Sequence, residues 1–371
     1  MEPITGKPPT VRVLSLDVMR GLIMLLLAAE ACGVYEAFAH VFPAGPGHVL
    51  VEQFFHHEWH GLRAWDLVQP GFMLIAGTSL YLSWSRRSQQ GIRWSTHFRS
   101  VAWRSLKLFA CGVALHCVYS GQLVWELWNV LTQLAATTLI AYLIIRWPTI
   151  WQLLFSLVLL VLTECLYRFI LVPGFEQPFV KGENFGAYFD YLIMGKHNGG
   201  GWAAINFIPT AAHTIWGVLA GKLLISSQPV AAQIRKLIWA GLAGLLAGYL
   251  LDWTAATPII KRISTSSFVL VSGGYILLLM AFFRWLVDVR GYNRYAWVFV
   301  VIGMNPIFIY LFFETVGKQW FNGIVGIFVG GGLELLAAPS GLVLVAVALV
   351  SLFLEWLLCY WLYQRRIFFK L

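Results

Sequence analysis

The sequence predicts an all-α protein, a polytopic membrane helix bundle of about ten transmembrane helices with both termini cytoplasmic. Three observations carry that prediction. The chain is 59% hydrophobic and only 12% charged, and its mean hydropathy is +0.72, a balance that suits polytopic membrane proteins. Its apolar residues gather into long runs. Its lysines and arginines are distributed unevenly between the loops that join those runs.

The runs fall at 16–38, 66–85, 103–119, 128–146, 150–172, 203–225, 237–253, 266–284, 296–313 and 341–363. Each is long enough, or nearly so, to carry a helix across roughly 30 Å of hydrocarbon. A further run at 320–338 is broken by Gly330, Gly331 and Gly332 and ends at Pro339. If it does not span, there are ten crossings and the termini share a side. Nineteen Lys and Arg then lie on the N-terminal side and seven on the other, which places both termini in the cytoplasm. The formal net charge of +9 is therefore topological, and no nucleic-acid partner is expected. Eighteen tryptophans suit belts at the two membrane interfaces. The polar Met1–Thr10 segment does not read as a cleavable leader. Residues 1–371 read as one transmembrane domain, because no hydrophilic loop is long enough for a second. The five cysteines, Cys32, Cys111, Cys117, Cys165 and Cys359, are scattered in apolar runs without metal-type spacing.

The polar residues are more specific. The stretch FFHHEWHGLRAWDL, 54–67, sets three histidines and two carboxylates beside an apolar run. On the expected topology it lies outside, with the loop 173–202 and the connection DWTAATPIIKRIST, so three polar segments converge on one face. The stretches GVLAG (217–221) and GLLAG (244–248) allow helices to approach closely beneath them. Within the runs stand Asp17 and Arg20, three apart on one helical face, Glu30, Glu164, Asp252, Glu355 and His213, with Asn305-Pro306 interrupting a helix. Ionisable residues at such depth suggest either a polar cavity or helix-to-helix ties.

Three readings of the histidine stretch compete. His56 and His60 share a helical face, and HEWH resembles a zinc-protease element. That element needs two residues between Glu and the second His, however, and only Trp59 stands there. A third ligand would have to be Glu52 or Asp66, and no metal is expected. A solvated loop is the plain alternative. The third reading makes one histidine a base or acyl carrier, with Asp66 orienting its imidazole.

The ordered set RVLSLDVMRG (12–21), H-x-x-W-x-G (56–61) followed by Asp66 and Pro70, FMLIAGTSL (72–80), AYFDYLIMGKH (187–197), IPTAAHTIWGVLAG (208–221), IKRISTSSFVLVSGG (260–274), DVRGY (288–292), IGMNPIFIYL (302–311) and the terminal LYQRRIFFKL resembles the heparan-α-glucosaminide N-acetyltransferase family of transmembrane acyltransferases. The likeness is greater to bacterial members than to the lysosomal enzyme, so a bacterial inner membrane is expected. The resemblance implies transfer of an acetyl group from cytoplasmic acetyl-CoA to a glucosamine-type amine on the far side of the bilayer. It places the active histidine at His56, three before Trp59, and the family's aspartate at Asp66. Near the end of the first helix, where the lysosomal enzyme has asparagine, this chain has Glu30-Ala31-Cys32, and the following loop is longer. The resemblance therefore does not fix the acceptor. Arg20 and Arg86 are the expected phosphate contacts for CoA, and His213 and Asn305 the expected tunnel residues. His57, Glu58, Trp59, Asp190, Lys196 and His197 are the expected acceptor contacts. Direct attack and an acyl-histidine both stay open, as does O- rather than N-acylation. The competing class is a transporter or flippase of a glycan or lipid-linked sugar. A homodimer is compatible with such a bundle and is not decided by the sequence.

Overall fold

The computed structural model describes residues 13–369. The Met1–Thr10 segment, with the Lys7, Arg12 and Lys370 of the charge count, lies outside the described residues. Among those described, the chain is helical and has no strand beyond two isolated bridge pairs. The helices are α1 (Leu14–Ala31), α2 (Val34–Val41), α3 (Gly45–Glu52), α4 (Val68–Gln89), α5 (Trp94–Ser120), α6 (Val130–Leu143), α7 (Thr149–Phe169), α8 (Phe185–Met194), α9 (Phe207–Leu224), α10 (Val230–Trp253), α11 (Ser266–Phe283) and α12 (Ala296–Gly303). Two more complete the chain, α13 (Pro306–Leu335), which includes π-helical turns, and α14 (Ser340–Gln364).

All ten apolar runs fall on helices, yet length and apolarity mark only five as membrane-crossing among the described residues, or up to seven if each bent pair is one span. The difference has a physical reason. Helices α4 and α9 pack against each other inside the bundle, where small and polar residues such as Thr78, Thr210, His213 and Thr214 serve better than a uniformly apolar surface. Helix α6 has 14 residues and is only about 21 Å long.

The run at 320–338 is not a separate element. It continues α13, which bends 76° from α12 where Asn305-Pro306 breaks the helix. Proline lacks the amide hydrogen needed to continue the ladder. A second bend, of 62°, separates α1 from α2, and Gly33 makes it by adopting φ +73°, a conformation glycine enters without steric cost.

Close approach at small residues holds the layers together. A methyl at Gly217 would lie 2.0 Å from the Leu74 carbonyl oxygen, and one at Gly77 would lie 1.9 Å from that of Thr214. No side chain therefore fits between α4 and α9. Gly241, Gly244 and Gly248 bring α10 onto α11 in the same way. These contacts fix a rigid frame, and the polar loops gather at one of its ends.

Candidate active site

The segment 53–67 between α3 and α4 is irregular, and Asp66 organises it. This residue lies in the short turn Ala64–Leu67 and is fully buried. One of its oxygens accepts the backbone N–H groups of Arg63 (2.9 Å) and His57 (3.3 Å). The other lies 3.0 Å from His56 Nδ1 and 3.4 Å from Lys261 Nζ. Lys261 also stands 3.0 Å from His56 Nδ1. It comes from the loop between α10 and α11, which is tied to the histidine segment by the Gly61 N–H donating to the Ile259 carbonyl at 2.9 Å. The same loop meets the segment before α9, where Ala203 N–H (3.2 Å) and Asn206 Nδ2 (2.8 Å) donate to the Arg262 carbonyl. Three connections distant in sequence are thus laced together over one end of the bundle.

The electrostatics follow from burial and these contacts. Burial alone would raise the Asp66 pKa. The His56 hydrogen bond, the Lys261 charge and the Arg63 N–H outweigh it and hold the carboxyl below its ordinary value. Burial, and then the Lys261 charge, lower the His56 pKa against the opposing pull of Asp66. Burial draws Lys261 down to about 8, against the attraction of Asp66. His56 Nδ1 faces two groups with opposite demands: donating to the ionised Asp66 carboxylate leaves Nε2 the basic nitrogen, whereas accepting from the Lys261 ammonium puts the proton on Nε2. Among the described residues nothing hydrogen-bonds Nε2.

His56, with a side chain 38% exposed, opens onto a cavity of about 210 Å³. Aromatic rings wall this space: Trp65, Trp128, Trp202, Tyr119, Tyr310 and Phe72. Trp202 meets the His56 ring edge-on at 5.3 Å and lies under Lys261 Nζ at 5.4 Å. Glu30, Gln69 and Glu314 supply polar groups to the same cavity. Glu314 sits in a π-helical turn, Phe313–Phe321, an irregularity that redirects side chains within a long helix. An imidazole base, an ammonium able to face a developing oxyanion and an aromatic-walled cavity can together support acyl transfer.

The other expected site residues lie elsewhere. None of His57, Glu58, Trp59, Asp190, Lys196 and His197 lines the cavity. Asp190 is fully buried, accepting Trp128 Nε1–H at 2.6 Å and Ala204 N–H at 2.8 Å. It holds a cavity wall in place rather than facing the cavity, and burial raises its pKa to about 7. Trp59 donates to the Phe179 carbonyl at 2.7 Å and closes over Gly201. Lys196 pairs with Glu126 at 2.5 Å, and the His57 ring packs on Gly61. Glu58 and His197 are exposed.

Of the residues expected to meet the donor, His213 is fully buried and joins α9 to α11, 3.0 Å from the Val269 carbonyl and 3.1 Å from Ser272 Oγ. Asn305 anchors the C-terminal segment. It donates to the Ile367 carbonyl at 2.9 Å and accepts from the Phe369 N–H at 2.9 Å. The structure brings neither into the cavity. Arg20 donates to Ser79 Oγ at 2.7 Å and meets Asp17 at 3.4 Å. Arg86 is exposed in the last turn of α4, about 27 Å along that helix from Val68.

Sequence reasoning missed Lys261, Trp202 and Glu314. For Lys261 a signal existed, since two adjacent cations, Lys261 and Arg262, stand in a loop on the side that the charge distribution leaves poor in cations. Among the described residues no three His, Cys, Asp or Glu side chains converge to hold a metal ion.

A membrane helix bundle whose loops assemble a histidine–aspartate pair over an aromatic cavity defines the class, an integral membrane protein with an enzyme-like site. The profile of the family "Heparan-alpha-glucosaminide N-acetyltransferase, catalytic" matches residues 12–252, and the chain belongs to that family. The heparan-alpha-glucosaminide N-acetyltransferase of Mus musculus is 24% identical over 395 aligned residues, covering 86% of this chain. That of Homo sapiens is 30% identical over 129 residues, covering 33% of this chain and 16% of its own length. The chain spans 56% of the length of the mouse protein.

Proposed function

We propose that this protein is an acyltransferase that moves the acetyl group of acetyl-CoA to the amine, or a hydroxyl, of a sugar acceptor. The observation that carries the reading is the His56 imidazole, held by a fully buried Asp66 with Nε2 left free at an aromatic cavity. In this reading Nε2 takes the proton of the acceptor as its nitrogen or oxygen attacks the thioester carbonyl, or takes the acetyl group itself first. Lys261 faces the oxyanion that forms. Asp66 keeps the imidazole in its tautomer and offsets the imidazolium charge. The names of the two relatives support a glucosaminide as the acceptor and an amide as the product.

The topology belongs to the same proposal. Ten crossings with both termini cytoplasmic put His56 outside and the α4–α5 connection inside, where Arg86 and its neighbours meet CoA phosphates. The protein then sits in a bacterial inner membrane and carries acetyl groups across it. The test is direct. Purified protein in detergent is incubated with acetyl-CoA labelled in the acetyl group and with glucosamine, and labelled product is counted. CoA should also raise the melting temperature, as any ligand of the native state does. A folded protein that shows neither product nor a thermal shift at millimolar CoA would favour a transporter.

A further inference from the structure

A second cavity lies away from His56, toward the other end of the bundle. Helix α7 packs on α9, α10 packs on α11, and α9 meets α11, so a groove of about 600 Å³ runs between α7 and α10 over the other two. Its walls are apolar: Leu153, Trp216, Leu219, Leu237, Leu270 and Leu277. Trp216 spends its one polar atom on Ser156 Oγ at 3.0 Å. The surface beside the groove is exposed and apolar as well, at Ile150, Trp151, Trp239 and Leu246, and α7 and α10 are both long and apolar enough to cross a membrane. One end of the groove is cationic. Lys222, in the last turn of α9, and Lys236, in the second turn of α10, both line it. Asn206, beside the start of α9, bonds to the Arg262 carbonyl, and Lys222 lies about 22 Å further along that helix. Lys222 is half-buried, donates to the neutral Trp147 carbonyl at 2.9 Å and stands 5.7 Å from the centre of the Tyr81 ring. Among the described residues no carboxylate pairs with either lysine.

We propose that this groove binds an anionic phospholipid, with one acyl chain between α7 and α10 and the headgroup phosphate on Lys222 and Lys236. The site is separate from the one at His56 and does not depend on acyl transfer. Its volume falls within the range of about 300–1,000 Å³ usual for small-molecule sites. From Lys236 to Gly244, which also lines the groove, α10 rises about 12 Å. The groove therefore encloses the part of a chain next to the headgroup and leaves the rest in the bilayer. Ser226 and Gln228, from the connection between α9 and α10, line the cationic end and bring polar groups to phosphate or glycerol oxygens. The two unpaired lysines are the source of selectivity. A zwitterionic headgroup carries its own cation, which these lysines repel, whereas an anionic one brings the charge they lack. On the proposed topology this end meets the cytoplasmic leaflet, where anionic lipids attract lysines. Inorganic phosphate would satisfy the lysines and leave the apolar walls empty.

The experiment is native mass spectrometry of the purified full chain, released from detergent micelles titrated with phosphatidylglycerol or with phosphatidylcholine of the same acyl chains. The wild type should hold phosphatidylglycerol about 25-fold more tightly than phosphatidylcholine, about fivefold for each lysine, which corresponds to about 1 kcal/mol per cation at an anionic lipid. Lys222→Gln and Lys236→Gln should each lose about fivefold in phosphatidylglycerol affinity and leave phosphatidylcholine unchanged, while Lys236→Arg should keep the wild-type value. Ala243→Phe, which fills the groove from α10, should weaken both lipids together. An unchanged melting temperature shows that a variant is folded, and the lysine variants decide the question even where Ala243→Phe does not fold. Equal retention of the two lipids by the wild type, or unchanged phosphatidylglycerol affinity in both glutamine variants, overturns the site. Displacement of phosphatidylglycerol by millimolar inorganic phosphate or by CoA would make the lysines a soluble-anion site. A lipid-free dimer that Ala243→Phe breaks would make the groove an interface between copies of the chain. Either result also overturns the lipid site.

Discussion

Two histidines four residues apart on one segment, His56 and His60, each pair with an aspartate, and their distances do not tell the pairs apart. His56 lies 3.0 Å from Asp66 and His60 lies 2.8 Å from Asp252. Their surroundings do. Asp66 is fully buried and gathers two backbone N–H groups and Lys261, whereas Asp252 is 17% exposed and His60 58% exposed. The Asp252 carboxylate also accepts the Ile259 N–H at 2.9 Å, and His60 forms a backbone bridge to Ile260, so this second pair clasps the histidine segment to the end of α10 and the loop that follows it. The first pair binds the ring through Nδ1, and His56 lines a cavity walled by aromatic rings. The second spends Nε2 on the clasp. A hydrogen-bond length identifies a contact. Burial and the nitrogen left free identify a candidate base.

The largest effect that would sharpen this contrast is expected at the first pair. His56→Ala should lower acetyl transfer by about 10²–10⁴-fold if the ring acts only as a base, and further if it carries the acetyl group. CoA should still raise the melting temperature of this variant, because the proposed phosphate contacts lie at the other end of the bundle. Asp66→Asn should lower the rate by about 10²-fold, with the acceptor KM little changed. Full activity in either variant, with acetyl incorporation counted as above, would erase the distinction between the two pairs.

A smaller, pH-dependent effect belongs to Lys261. Burial and the Lys261 charge lower the His56 pKa below its ordinary value, so the imidazole is a free base throughout the neutral range. In the wild type the rate should rise as His56 loses its proton, with a midpoint below 6.5, and then stay level until Lys261 loses its own charge around its pKa of about 8. Removing the cation in Lys261→Met raises the His56 pKa, because Asp66 then acts on the imidazolium unopposed. The acid limb should move to higher pH, so that activity at pH 6 falls relative to pH 7.5. A rate profile with an unmoved acid limb would show that Lys261 does not share the field of His56.

The fold was largely legible because apolar runs report helices directly, and GVLAG and GLLAG signalled close packing before any contact was known. The number of crossings was less legible. Internal helices such as α4 and α9 carry buried Thr78, His213 and Thr214, and His213, an expected tunnel residue, joins α9 to α11. For the candidate site, His56 and Asp66 lie ten residues apart on one segment, and a local motif could bring them forward. Lys261 lies 205 residues from His56 and joins it only through loop lacing, which no local pattern encodes. Asp190 misled for a related reason. A carboxylate in a polar loop reads as exposed, but two hydrogen bonds, from Trp128 and Ala204, allow it to be buried.

The smallest effect is expected at His60, and it tests the comparison from the other side. The side chain is more than half exposed, and exposed pairs of this kind contribute about 0.2–1 kcal/mol. His60→Ala removes the ring but leaves Asp252 its bond from the Ile259 N–H, and leaves the Gly61 N–H to Ile259 carbonyl bond in place. The loop between α10 and α11 therefore stays docked, and Lys261 keeps its place beside Asp66. Acetyl transfer should remain within about twofold of wild type, a change in barrier of roughly 0.4 kcal/mol. The melting temperature should fall only slightly. A loss at His60 equal to that at His56, together with inactivation of the wild type by a chelator, would mean that the two histidines share one task. The pair at His56 would then have to be read as part of a metal site. Near-normal activity leaves His60 as a clasp and sets His56 apart as the base.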